Sequence, residues 1–190
     1  MADGMRSGGD AAARLAALLG PWWQRLGGEP PACAIVPADA LPAAVRPLLD
    51  HTGSMTLRLE AHWAGPLGVR RLAHAEDADT LTRASVLHTL SGDGDGTPVE
   101  LAVIRMALPA LPAALHGALR AAAVPFGRLL ADHGIAFAAE PLAFFRLEAD
   151  AVAAEHGAVE PGTPLYGRLS RIVTPGGVTL CDVVEIVPRA

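Results

Sequence analysis

The sequence predicts an α+β protein: a single antiparallel sheet of about six strands, flanked by helices and enclosing a ligand pocket. Apolar residues alternate with a period of two over several segments, which is the signature of strands. Other segments carry apolar residues at helical spacing, and the two kinds are interleaved rather than repeated as βα units. At 190 residues, 51% hydrophobic and 18% charged, the chain is long enough to bury one sizeable core. It shows no internal repeat and no linker, so residues 1–190 read as one domain, with 1–40 a helical segment and connector and 41–190 the core.

Ala11 to Gly27 has helical spacing of Leu15, Leu18, Leu19, Trp22 and Leu26, and Pro21 is expected to start a second short helix there. The prolines of Gly28 to Asp39 mark a connector, and Leu41 to Asp50 reads as a short helix. From Met55 to Trp63, Met55, Leu57, Leu59, Ala61 and Trp63 alternate with Thr56, Arg58, Glu60 and His62, which predicts a strand with one buried face. A second strand covers Leu67 to His74 after the Gly65-Pro66 turn. Thr80 to Leu90 and Pro98 to Leu108 form a hairpin whose tip, Ser91 to Thr97, is rich in Gly and Asp and solvated. Helical spacing returns at Leu111 to Ala122. Pro125-Phe126-Gly127 opens a further helix that Gly134 closes, and Ile135 to Leu147 is partly extended. Leu165 to Val173, the turn Thr174 to Gly177 and Val178 to Val187 make a C-terminal hairpin.

Composition removes several function classes. The net charge is −5 and all fifteen basic side chains apart from histidine are arginine. Without lysine there is no Schiff-base chemistry, no pyridoxal-phosphate attachment and no P-loop lysine. No basic run or basic-aromatic interleaving tracks a phosphate backbone, so nucleic acid is not an expected partner. Cys33 and Cys181 lack metal-ligand spacing, as do the seven histidines, and Asp93-Gly94-Asp95-Gly96 lacks the later glutamate of a calcium loop. Neither Ser54 nor Ser85 has an adjacent general base that sequence identifies. No apolar run reaches the length of about 20 residues that spans a bilayer, so the expectation is a soluble cytoplasmic chain, monomer or homodimer, with no membrane partner.

The segments Ser54 to Glu60, Leu81 to Arg83 and Tyr166 to Arg171 place arginines on stretches that otherwise read as buried. Arg83 shares its face with Leu81, Ser85 and Leu87. Arg105 lies with Val99, Leu101, Val103 and Ala107, and Arg171 with Leu165, Leu169 and Val173. Glu185 lies beside Cys181, Val183 and Val187. A buried guanidinium keeps its charge and must be paired, so several aimed into one core predict a pocket for a small anionic ligand. The alternative is structural pairing with Glu100 or Asp182, or snorkelling to a sheet edge.

The order and wording of these motifs resemble the chorismate pyruvate-lyases, which form 4-hydroxybenzoate. Ser54-Met55-Thr56 resembles the Ser-Met-Thr segment of that family. Leu81-Thr82-Arg83-Ala84-Ser85-Val86-Leu87 resembles its Leu-Arg-x-x-Leu-Leu strand, and Arg105 with Pro109 its Arg-x-x-x-Pro ending. Pro125-Phe126-Gly127-Arg128-Leu129-Leu130 is similar to its Pro-Leu-Gly helix start, and Tyr166-Gly167-Arg168-Leu169-Ser170-Arg171 to a Trp-Gly-Arg-Arg-Ser-Arg segment. The likeness runs in order from Leu48 to Pro188. Two positions depart from it: Phe126 replaces leucine, and Glu185 precedes Pro188 by one residue fewer than the family's essential glutamate. Counting from Gly176-Gly177 instead puts Val183 at that place, with Asp182 adjacent and on the opposite face.

The resemblance implies a chorismate-lyase-like fold and a cofactor-independent, metal-free lyase converting chorismate to 4-hydroxybenzoate and pyruvate. Arg83 would clamp one substrate carboxylate through its bidentate fork. The backbone N–H groups of Phe126, Gly127 and Arg128 would hold the other. Glu185, or Asp182 in the other count, would protonate the departing ether oxygen. Ser54, Met55, Arg105, Phe126, Gly127 and Arg171 would contact substrate, with Met55, Phe126 and Leu87 as apolar walls. The same fold also serves as the effector-binding UTRA domain of transcription regulators, so a non-catalytic binder of an aromatic carboxylate, or a lyase-like enzyme on a related cyclohexadiene or aromatic acid, is the alternative. Such regulators carry a DNA-binding winged helix upstream, which the short N-terminal region here is not expected to supply.

Overall fold

The computed structural model describes residues 2–91 and 94–190, with side chains described for 9–90 and 96–190. Residues 92 and 93, at the tip of the hairpin expected to be solvated, lie outside the described residues. A helix α1 (Ala2–Arg25) leads into a three-residue strand β1 (Ala34–Val36), a short helix α2 (Arg46–Leu49) and helix α3 (Met55–His62). Strands β2 (Leu67–Glu76), β3 (Thr80–Ser91) and β4 (Gly94–Ala107) follow as a meander, then α4 (His116–Ala121) and α5 (Phe126–Asp132). Strand β5 (Ala138–Glu148), helix α6 (Ala151–Gly157) and the hairpin of β6 (Pro164–Val173) and β7 (Thr179–Val187) complete the chain. The fold is α+β, and the seven strands form one sheet in the order β1-β5-β6-β7-β4-β3-β2, antiparallel at every pairing.

Three expectations are corrected. Met55 to His62 is a helix, because the Ser54 hydroxyl caps it by accepting from the Leu57 N–H at 3.3 Å, a device that satisfies an otherwise orphaned donor. Met55, Thr56 and Leu59 are buried while Leu57 is exposed, so the burial follows helical spacing and the alternation was coincidental. Pro21 sits inside α1 rather than dividing it; Leu15, Leu18, Leu19, Trp22 and Trp23 pack on the same core on both sides of it, and this packing outweighs one missing hydrogen bond. The seventh strand, β1, pairs Ala34–Val36 with Phe144–Arg146 inside what reads as a connector.

Both faces of the sheet are covered. On one, Ala84, Val86, Leu101, Val103, Leu169, Val184 and Ile186 pack against α1 and α6. Asp150 joins those two helices: it caps α6 by accepting from the Ala153 N–H at 2.9 Å and also accepts from Trp23 Nε1 at 2.7 Å. The opposite face lies under α3, α4 and α5, where Ile104, Ile172 and Val183 meet Leu115, Leu119 and Leu130, and Leu87 and Val187 meet Met55 and Leu59. Among the described residues no helix is long and apolar enough to cross a membrane.

Gly167 is needed by this packing, since a Cβ there would run into the Phe145 ring and the Glu185 carbonyl oxygen. Gly167→Ala is expected to lower stability by about 1–3 kcal/mol, the usual cost of overpacking, read as a lower denaturant midpoint. An unchanged midpoint would mean that the β5–β6–β7 contact relaxes freely.

Candidate functional site

On the face beneath α3 and α5, the strand registers set outward-pointing residues in rows. Arg83, Ile104, Val183 and Ser170 stand side by side across β3, β4, β7 and β6. Next come Ser85, Ala102, Glu185 and Arg168, and then Leu87 opposite Glu100. Two small residues, Ser85 and Ala102, are thus ringed by large ones, and the deficit of side-chain volume over them is the floor of a cavity. Its roof is formed by Ser54, Met55 and Thr56 at the start of α3 and by Phe126 and Gly127 at the start of α5. Gly127 lets the helices approach, because a Cβ there would meet the Ser54 and Thr56 hydroxyls. An ion pair from Arg128 on α5 to Glu60 on α3 ties the roof together. The cavity holds about 510 Å³, its open mouth included, with Phe137, Ile172 and Val183 completing its walls.

Seven residues singled out from the sequence line this cavity: Ser54, Met55, Arg83, Leu87, Phe126, Gly127 and Glu185. Arg105 and Arg171 do not. Their strand parity turns them to the α1 face, where they share Asp182, at 3.2 Å and 3.5 Å, in a separate cleft with Arg14 and Leu18. The expectation that these arginines converge with Arg83 is therefore corrected: the sheet has two covered faces, and Arg105, 52% exposed at its side chain, snorkels out beyond α1. Asp182 lies with them, away from the cavity.

The deepest charge is one that reasoning from strand faces passed over. Arg168 has no exposed surface. Its Nε donates to Glu185 Oε2 at 2.5 Å, and its Nη1 donates to the carbonyl oxygens of Leu49 and His51, both at 2.9 Å. Its neighbourhood also acts on His51, whose imidazole is pushed down to about 4 by burial, then by the Arg168 and Arg58 charges, and stays neutral. Counting outward from the Thr174–Gly177 turn places Arg168 on the same face as Glu185 but opposite Val183; the register shift near the turn brings it opposite Glu185. Glu100, Ser85 and Ala102 were likewise missed as cavity residues; nothing marks them apart from the parity of β3 and β4.

Two further charges are open. Arg83 is 4% exposed and its Nε has no hydrogen-bond partner among the described residues. Burial, with the Arg71 charge nearby, pulls its guanidinium down to about 10, so it remains a cation at neutral pH. Glu100 is equally buried, and its Oε2 is also without a partner among the described residues. Burial first and the Glu185 charge second hold its carboxyl well above the usual carboxylate range, against the pull of Arg168 and Arg83. The site thus contains a buried ion pair, a second buried guanidinium whose Nε lacks a partner among the described residues, and a carboxyl that burial biases towards its protonated form, around a largely apolar hollow.

The fold is UTRA-like. The full chain of PhnF from Mycobacterium smegmatis superposes with a TM-score of 0.51 at 17% identity over 71% of this chain, and the match spans 63% of PhnF. The isolated effector domain of PhnF gives 0.51 at 18% identity, covering 71% of this chain and 88% of that domain. The gene product SA0254 from Staphylococcus aureus gives 0.50 at 10% identity, covering 73% and 90%. No family model and no curated protein matches the chain. Identities this low carry the architecture and leave the chemistry of the site to its own residues.

Removing one member of a buried pair strands the other charge, so Arg168→Leu is expected to cost about 3–5 kcal/mol, measured by urea unfolding; a loss under about 1 kcal/mol would show that Glu185 is solvated. Glu100 gives a pH signature. The folded chain keeps its proton past the ordinary value of 4.5, at which the unfolded chain releases it. Folding stability at this group is therefore full at low pH and declines as pH rises above about 4.5 towards the folded value. Glu100→Gln is expected to remove that decline; identical pH slopes for the two proteins would contradict it.

Proposed function

We propose that the cavity binds a small ring carboxylate in the manner of an effector domain, with Arg83 as its counter-ion. The observation that carries this reading is the buried guanidinium of Arg83, whose Nε has no partner among the described residues, on the wall of a largely apolar hollow. A charge held out of water without a partner is costly, and an incoming carboxylate supplies the bidentate acceptor that its fork lacks. Phe126, Met55, Leu87 and Ile104 offer apolar surface to a ring. The architectural likeness to the PhnF effector domain supports binding over turnover.

Chorismate lyase activity is the second reading, favoured by the ordered motifs and by Arg83 and Glu185 lining one cavity. In that reaction the bond between the ring carbon and the ether oxygen breaks, pyruvate leaves, and loss of a ring proton aromatises the product. The general acid expected at Glu185 meets an obstacle, since Arg168 holds that carboxylate from behind. Glu185 would have to leave a charge-assisted hydrogen bond to deliver a proton.

One experiment separates the two. Purified protein is incubated with chorismate, pyruvate is followed through a coupled dehydrogenase, and thermal unfolding is recorded with chorismate or 4-hydroxybenzoate. Binding without turnover predicts a rise in melting temperature of roughly 5–10 °C near a hundredfold excess over Kd, lost in Arg83→Met, and no pyruvate. Equimolar pyruvate and 4-hydroxybenzoate, abolished by Glu185→Gln, would establish the lyase instead. Neither stabilisation nor product would sink both.

A further inference from the structure

The cavity holds a second polar group whose role the binding reading leaves open. Glu100 and Arg83 stand at opposite ends of the Ser85–Ala102 floor, four residues apart along the β3–β4 ladder, about 13 Å of backbone, and both side chains reach the hollow between them. The charges that face Glu100 are Arg83 on β3, Glu185 on β7 and Arg168 on β6. From the roof, Ser54, Met55, Thr56, Phe126 and Gly127 bring no ionisable group, and Arg71 on β2 and the buried Cys181 thiol on β7 act on Arg83. Arg168 and Glu185 cancel one another in a direct bond. With Glu100 uncharged, the hollow carries the single positive charge of Arg83 and matches a monoanion. With Glu100 ionised it would be balanced without a ligand and would repel one. A protonated carboxyl is also a donor, and its buried Oε2 lacks any protein partner among the described residues.

We propose that Glu100 is the specificity determinant of this cavity: its carboxylic acid donates a hydrogen bond to an uncharged oxygen, in a hydroxyl, ether or carbonyl, at the far end of a ring acid whose carboxylate sits on Arg83. The inference rests on the binding function proposed above and adds the ligand's second recognition point. A ring acid lacking that oxygen leaves the buried donor unpaired, and a second carboxylate in its place meets a group whose ionisation is opposed by Glu185.

The test compares benzoate with 4-hydroxybenzoate by titration calorimetry on the wild-type chain, Glu100→Gln, Glu100→Leu and Arg83→Met. The wild type is expected to prefer the hydroxylated acid about 5–10-fold, the worth of one hydrogen bond. Glu100→Gln, which keeps a neutral donor, retains the preference, and Glu100→Leu binds both acids alike. Should the leucine variant not fold, pH decides: wild-type affinity for 4-hydroxybenzoate falls as pH rises beyond the usual carboxylate range and Glu100 ionises, while the glutamine variant is flat. A preference or pH profile untouched by either substitution, with binding still lost in Arg83→Met, overturns the role of Glu100 and leaves the binding reading standing. Failure of the wild type to bind either acid overturns both.

Discussion

A guanidinium with no exposed surface sits where β6, β7 and the loop after α2 meet. Taking such a charge out of water costs several kcal/mol, and Arg168 offsets it with a carboxylate on the neighbouring strand and two backbone carbonyls from the loop. Those bonds fix the loop that delivers Ser54, and Ser54 caps the helix that roofs the cavity. The roof is then closed by Arg128 and Glu60. The cavity's existence thus follows from one buried charge held by a carboxylate and two carbonyls, together with the small side chains beneath it.

The same bond assigns roles to the remaining charges. Arg168 engages Glu185, and the carboxylate whose charge reaches Arg83 is Glu100, across the hollow. Burial first, and the Glu185 charge second, raise the Glu100 carboxyl above the usual carboxylate range. On the opposite face of the sheet, Arg105 and Arg171 pair with Asp182 beside α1. In the binding function proposed above, the anion therefore meets one arginine of the three, Arg83. The effector domain of PhnF shares the architecture at 18% identity, and architecture of this kind hosts many chemistries; in that proposal the row of residues over Ala102 selects the ligand.

The sheet was readable in the sequence because the long strands β3, β4, β6 and β7 have consistent parity, although the register of both hairpins shifts near the turns. Arg83 and Glu185 were legible for that reason. The errors have physical causes. Alternating residues from Met55 to Trp63 satisfy a strand pattern and a short helix equally, and the Ser54 cap that decides between them is one hydroxyl. Strand parity says that Arg105 shares a face with Leu101 and Val103; it does not say where α1 stops covering that face. Arg168 was hidden among residues of the Tyr166–Arg171 motif because its partners Leu49 and His51 come from more than a hundred residues away. Helix α6 was missed although Asp150 marks its start, since its seven residues are too few to show a period.

In the proposed binding mode a ring acid enters the cavity carboxylate-first onto Arg83 while Arg168 keeps Glu185. A crystal structure of the complex with 4-hydroxybenzoate tests it most directly. The account predicts the ligand carboxylate within about 3 Å of the Arg83 guanidinium, the ring over Ala102, and the Arg168–Glu185 bond intact. A ligand carboxylate found instead between Arg105 and Arg171, or one that displaces Glu185 from Arg168, would contradict it.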